Sequence, residues 1–134
     1  MKFNSSDMYE FQRCLRVNNG QFDIPFGVDE FLPAGLACGA VGAVGSTYNY
    51  AAPLYHRLID SFNQGNHQDV AACIDKVIAI IRVLVQYGGV AAGKLAMQLH
   101  DIDVGDPRRP LRPMTSEQKR VALEAFRAAD FIKS

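Results

Sequence analysis

The sequence has no net charge: 14 Lys and Arg are balanced by 14 Asp and Glu over 134 residues. Such a chain has no long-range field to draw in nucleic acid or an anionic membrane, and its one local concentration of positive charge is Arg108, Arg109 and Arg112. Nucleic acid is therefore not expected as a partner. The opening "MKFNSSDMYEF" lacks the apolar core of a secretory signal. An unbroken apolar run of membrane length is lacking too, because Pro33, Pro53, the glycines from Gly35 to Gly45 and the polar run Ser46-Thr47-Tyr48-Asn49 interrupt the uncharged stretch from Phe31 to Tyr55. These absences predict a soluble cytoplasmic protein with no membrane partner. Cys14, Cys38 and Cys73 form no C-x-x-C pair, which argues against a disulfide framework or a zinc site and for free thiols in the interior. The glycine-rich "GAVGAVGST" has no lysine before its Ser and Thr, so it is not a phosphate-binding loop.

Alternating periodicities fill the first half. "MKFN" reads as a short strand, followed by a helix over "SSDMYEFQRCLRV" that Ser5 or Ser6 can cap and that presents Met8, Phe11 and Leu15 on one face. "NNG" closes it, with Gly20 in a left-handed conformation. A second strand, "QFDIPFGVDE", leads to a helical turn with Pro33 near its start, and "GAVGAV" forms a third strand before a helix from about Pro53 to Gln64 that ends at Gly65. Strand and helix alternating with short connections predict a parallel sheet with helical crossovers.

The second half reads as helical. Val70, Ile74, Val77, Ile81 and Leu84 recur at helical spacing in "HQDVAACIDKVIAIIRVLVQYGG", and between Val77 and Val85 only Arg82 is polar, so this helix is expected to be covered on most sides. "VAAGKLAMQLHDI" is another helix, "DVGDPRRPLRP" a loop stiffened by prolines, and the last helix opens with Thr115 and Gln118 spaced for a capping box. The predicted organisation is residues 1–65 as three βα units and residues 66–134 as a helical extension. Three parallel strands leave two open edges, so the chain is expected to be the later portion of a larger α/β domain, most commonly a (β/α)8 barrel of roughly 250 residues.

Barrel chemistry sits at the carboxyl ends of the strands. That rule selects Lys2 and Asn4, then Gly27, Asp29 and Glu30, then Ser46 to Asn49. A lysine inside a barrel is desolvated, which lowers its pKa from about 10.4 and supplies a free amine to attack a ketone. Each signal also has a plainer reading: Lys2 as a solvated side chain, Asp29 and Glu30 as acids favoured at a helix N-terminus, and the polar run as a capping segment before Pro53. The histidines, His56, His67 and His100, fall on helices or their ends, away from the strand-end face, and no metal is expected.

"GVDE" followed by "GAVGSTYNY" and preceded by "MKFNSSDMYEF" resembles the N-acetylneuraminate lyases, within the pyruvate-dependent class I aldolases that include dihydrodipicolinate synthase. The resemblance runs from Met1 through "PRRPLRP" to the last helix, and covers about the second half of the family's barrel. It implies that Lys2 is the Schiff-base lysine and that Gly27, Asp29, Glu30 and Ser46 hydrogen-bond the hydroxyl-rich tail of a sialic acid. Asn4 stands where bacterial relatives commonly carry threonine. Tyr48 and Asn49 take structural roles. It also implies that the carboxylate-binding Ser-Thr motif and the proton-shuttling tyrosine belong to earlier strands, that no cofactor or metal is needed, and that the assembly is a homotetramer. Its substrates would be small molecules, a sialic acid and pyruvate. Two other readings stay open at this stage: another pyruvate aldolase, such as one cleaving 2-keto-3-deoxy sugar acids, and a non-catalytic half-barrel acting as an interaction module.

Overall fold

The computed structural model describes residues 1–132, which fall into two compact units that divide between Ser46 and Thr47. In the first unit, helix α1 spans Met8–Arg16. Its cap is Asp7 and neither predicted serine: the Asp7 carboxylate accepts from Glu10 N at 3.0 Å, while Ser5 Oγ accepts from Asp7 N at 3.2 Å and closes the turn before it. A carboxylate at this place satisfies an orphan amide and meets the positive end of the helix dipole. The predicted stripe is the observed one, with Phe11 buried and Met8 and Leu15 packed against Ile24, Phe26 and Ala40. Past Arg16 the chain turns through three left-handed residues, Asn18, Asn19 and Gly20, at φ 52°, 56° and 74°. Asparagine and glycine are the residues that tolerate this region.

The three segments read as strands meet in the expected order and direction, but as single parallel bridges, Phe3 with Phe26 and Phe26 with Ala43. Phe3 N donates to Pro25 O at 3.0 Å, Phe26 N to Gly42 O at 2.9 Å, and Val44 N to Phe26 O at 2.8 Å. Among the described residues no longer ladder forms. Pro25 offers an acceptor and no donor, and the backbone leaves the extended path at Asp29, where a 3-10 turn over Asp29–Phe31 runs into α2, Leu32–Ala37. Pro33 lies in the first turn of α2, as predicted.

In the second unit, α3 spans Tyr48–Asn63, so it begins well before the expected start at Pro53. Pro53 is inside the helix, and the backbone departs from helical geometry at Ala51 (φ −124°, ψ 22°). Proline at this depth removes a hydrogen bond and crowds the preceding turn, which accounts for the kink. Helix α4 spans His67–Tyr87, capped by Asn66, and is followed by α5 at Gly89–Ala96, a 3-10 turn at Met97–His100, a long loop containing the cis bond Arg109–Pro110, and α6 at Ser116–Ala128. The predicted capping box is present in both directions: Gln118 N donates to Thr115 Oγ1 at 3.2 Å and Thr115 N to Gln118 Oε1 at 2.9 Å.

The buried face of α4 is Val70, Cys73, Val77, Ile80, Val83 and Leu84, packed on α3, α5 and α6. Ile74 and Ile81, expected on that face, are half-buried, and Val85 is exposed. Cover on most sides is therefore not what the described residues provide. Helices α3 and α4 are also joined by an ion pair: Arg57 Nε donates to Asp69 Oδ2 at 3.0 Å, Arg57 Nη2 bonds the other carboxylate oxygen, and Ser61 Oγ donates to Asp69 at 2.5 Å. The hydrogen bonds from Arg57 and then Ser61 bring the Asp69 carboxyl down to about 2. All three cysteines are free. Cys73 is buried, which pushes its thiol pKa up, while Cys14 and Cys38 are half-buried. Among the described residues no helix is long and apolar enough to cross a membrane.

Candidate active site

The site residues are sorted by the two-residue alternation of extended chain. Phe3, Phe26 and Ala43 are bridged to one another, and the rings of Phe3 and Phe26 turn to the α1 side, where Phe11 lies 5.0 and 5.1 Å from them between centroids. Their neighbours in sequence, Lys2 and Asn4 on the first segment and Gly27 on the second, therefore take the opposite face. Aromatic packing behind the segments thus decides that the amine stands in front of them.

Two close approaches near the ends of the segments each depend on a glycine. The Lys2 side chain runs across the place where Gly27 would carry a Cβ, which would also come within 2.7 Å of Phe3 O. Any side chain at position 27 would collide with the stem of the lysine and with the Phe3 carbonyl. In the same way the Asp29 carboxylate occupies the space that a side chain at Gly45 would need. Asp29 is buried, whereas Glu30, beside it in the 3-10 turn, is half-buried. Lys2, Asn4 and Ser46 are exposed.

Lys2 is thus placed with Gly27, and Asp29 with the Gly45-Ser46 end of the third segment. Among the described residues no hydrogen bond or ion pair joins Lys2 to Asn4 or to Glu30. Asp29 and Glu30 also do what the plainer reading said, opening a short helical turn. Gly45 was not singled out from the sequence, although its place between an apolar run and a polar one was the available signal.

The polar run after Gly45 divides. Thr47 is fully buried, and its Oγ1 lies 2.6 Å from the hydroxyl of Tyr55. Tyr48 stacks edge-on against Tyr55 with centroids 4.4 Å apart, which agrees with a structural role for Tyr48. Tyr50 is buried, and its carbonyl accepts from His100 Nε2 at 2.7 Å. Thr47 to Tyr50 thus serve the helix that follows, and Ser46 is left as the exposed hydroxyl of the run. Among the described residues no group of three or more His, Cys, Asp or Glu is placed to hold a metal ion.

Three extended segments bridged in parallel, with helices between and after them, fit a portion of an α/β barrel. The family model for the dihydrodipicolinate synthetase family matches residues 1–129, and the chain belongs to that family. Among curated relatives, the N-acetylneuraminate lyase of Mus musculus is 35% identical over 140 residues, which take in 100% of this chain and 43% of the mouse protein. Among solved structures, Proteus mirabilis N-acetylneuraminate lyase is 79% identical with a TM-score of 0.96, covering 98% of this chain and 44% of that one. The N-acetylneuraminate lyase from Aliivibrio salmonicida is 62% identical with a TM-score of 0.95, covering 97% of this chain and 43% of that one. The chain therefore spans less than half the length of the relatives it matches.

Proposed function

We propose that these residues are the C-terminal part of an N-acetylneuraminate lyase, a class I aldolase that cleaves N-acetylneuraminate to pyruvate and N-acetylmannosamine. The observation that carries the reading is 79% identity to the Proteus mirabilis lyase across 98% of the chain. Residues 1–65 are then the last three βα units of the barrel, whose single bridges extend into strands when the neighbouring strands are beside them. Residues 66–134 are the helical extension, of which positions 133 and 134 lie outside the described residues. The complete protein is a cytoplasmic homotetramer that works without a cofactor.

The chemistry assigns Lys2 as nucleophile. Its free amine adds to the C2 ketone of the open-chain sugar and expels water, forming an iminium. As the C4 hydroxyl loses its proton, the C3–C4 bonding electrons move into the iminium, the aldehyde of N-acetylmannosamine leaves, and an enamine of pyruvate remains on Lys2. Protonation at C3 and hydrolysis release pyruvate and restore the amine. Lys2 is exposed in these residues, and the cover that closes over it comes from the remainder of the barrel. Gly27 gives the amine its path, and Asp29, Glu30, Ser46 and Asn4 meet the hydroxyl-bearing tail. Specificity follows because a substrate lacking those hydroxyls would leave the buried Asp29 without them.

The test is borohydride reduction of the complete protein in the presence of pyruvate, with mass analysis of the peptide that carries the adduct, together with pyruvate release from N-acetylneuraminate. The expected result is modification at Lys2 and its loss in Lys2→Arg. Modification elsewhere would overturn the assignment. Cleavage of 2-keto-3-deoxy sugar acids in preference to N-acetylneuraminate would keep the Schiff base and overturn the substrate.

A further inference from the structure

Among the described residues Asp29 is the one charged residue that is buried, at 7% exposure. A carboxylate leaves water only at a cost, and what gives this one its place is a glycine. The three atoms nearest to where Gly45 would carry a Cβ are the two oxygens and the carboxyl carbon of Asp29, all too close for a side chain to fit. Gly45 keeps its φ outside the positive range held by Gly20, Gly39, Gly65, Gly88 and Gly105, so its backbone would accept other residues. Space alone asks for glycine at position 45.

The backbone is held on both sides of this contact. One residue before Gly45, Val44 N is bonded to Phe26 O at 2.8 Å, and Ala43 is bridged to Phe26. Three residues past Phe26, Asp29 opens the 3-10 turn that Phe31 N closes onto Val28 O at 3.1 Å and Leu32 N onto Asp29 O. A methyl group at position 45 therefore acts on the carboxylate, the part that can turn about side-chain bonds. Gly42, on the same segment, has nothing within 4 Å of its missing Cβ, so the requirement belongs to position 45 and not to the segment as a whole.

We infer that Gly45 is a specificity-determining position: by leaving its side-chain space to the Asp29 carboxylate, it sets where that carboxylate meets the hydroxyls of a long sugar tail. The inference rests on the lyase reading above and gives Gly45 the part of a positioning residue, which acts through Asp29. A side chain at position 45 turns the carboxylate out of its place, and the substrates that suffer are those long enough to reach it. What the glycine secures is preference for long substrates over short ones, while the Schiff base forms at Lys2, on another segment.

The test runs the aldol reaction of the complete protein in the direction of synthesis, with pyruvate and either N-acetylmannosamine or D-erythrose as the aldehyde. Joining C3 of pyruvate to the aldehyde carbon gives a nine-carbon product from the first and, from the second, a seven-carbon product without the last two hydroxyl-bearing carbons. The quantity read is the ratio of kcat/KM for the two aldehydes, and borohydride trapping of pyruvate at Lys2 reports that a variant is folded with its amine in place. Gly45→Ala should lower the ratio about 10- to 10²-fold, the scale of a hydrogen bond to a charged group, through a higher KM for N-acetylmannosamine. Asp29→Ala should lower it by a similar factor, and Gly45→Ala/Asp29→Ala no further than Asp29→Ala alone, because both changes remove the same contact. A ratio within about twofold of the parental one in Gly45→Ala overturns the inference. So does a double variant in which the two losses multiply, the mark of a merely structural glycine. The comparison of the double variant with Asp29→Ala holds even where Gly45→Ala alone does not fold, since Asp29→Ala empties the space that the methyl group needs. Parental protein that condenses pyruvate with neither aldehyde, or that shows no preference for N-acetylmannosamine, overturns the lyase reading itself and this inference with it.

Discussion

A single missing methyl group governs where the amine of Lys2 can lie. Replacing Gly27 by alanine places a Cβ against the Lys2 side chain and 2.7 Å from Phe3 O, so the lysine must leave its path. In the complete protein, Gly27→Ala is expected to slow borohydride trapping of pyruvate about 10²-fold, the usual scale for a reacting group displaced by about an ångström. Gly42→Ala, at a position with nothing within 4 Å, should leave trapping unchanged and serves as the control. The two carboxylates should behave otherwise. If the proposed division of roles holds, Asp29→Ala and Glu30→Ala are expected to raise KM for N-acetylneuraminate while pyruvate trapping persists, because contacts to the substrate's tail would bind and orient it without forming the adduct. Equal loss of both would contradict that division. The placement of Lys2 beside Gly27 could be looked for in the sequence because strand ends in an α/β chain are where ligands are met. The service of Gly45 to Asp29 could not, since a glycine records only that space is needed and not which atom needs it. Thr47 belongs to the polar run the sequence picks out, but its partner, Tyr55, does not show there, since it lies two turns along the helix that follows.

Helix starts show what sequence signals can decide. The capping box at Thr115 was readable because its two partners sit at fixed spacing within one turn, and Thr115→Ala should lower stability by about 1 kcal/mol, seen as a drop in Tm. At α1 the serines were equally good on paper, and only geometry gave the position to Asp7. For α3 the rule that proline favours a first turn holds for the segment that follows the break at Ala51, and what the sequence did not indicate is the further turn, Tyr48 to Tyr50, ahead of that break. The tie between α3 and α4 lends itself to a pH experiment. The hydrogen bonds from Arg57 and Ser61 hold the Asp69 carboxyl below the usual carboxylate range, at about 2, so the folded state binds its proton less readily than the unfolded one. Its contribution is thus fully present above the ordinary carboxylate range and is lost as pH falls through about 2. Thermal melts of the native protein and Asp69→Asn should therefore differ at neutral pH and converge towards pH 2; a constant difference would dismiss the assignment.

Taken whole, the chain has the expected α/β order, yet its three extended segments touch through single bridges and Lys2 is exposed. Sequence reading anticipated the reason, since three parallel segments cannot cover both faces or close both edges by themselves. It could not show how far the pairing would shrink, because ladder length depends on neighbours the pattern does not contain. The 134 residues on their own are expected to release no pyruvate from N-acetylneuraminate above the uncatalysed background, measured by a coupled pyruvate assay. Addition of the remaining part of a lyase barrel, expressed separately, should restore release together with trapping at Lys2. Full turnover by the 134 residues alone would refute the need for desolvating cover.

The pairing described above can also be stated as a matter of time. Phe26 is the residue through which both neighbours are held: its amide proton is bonded to Gly42 O, its carbonyl accepts from Val44 N, and it is bridged to Phe3 on the other side. In deuterated solvent, amides in extended chain without a bonded carbonyl exchange quickly, while those of Phe3, Phe26 and Val44 wait for the segments to part. Phe26, buried under the ring of Phe11, should be the slowest of the three. The lifetime of that one proton is a clock for the opening of the face that carries Lys2.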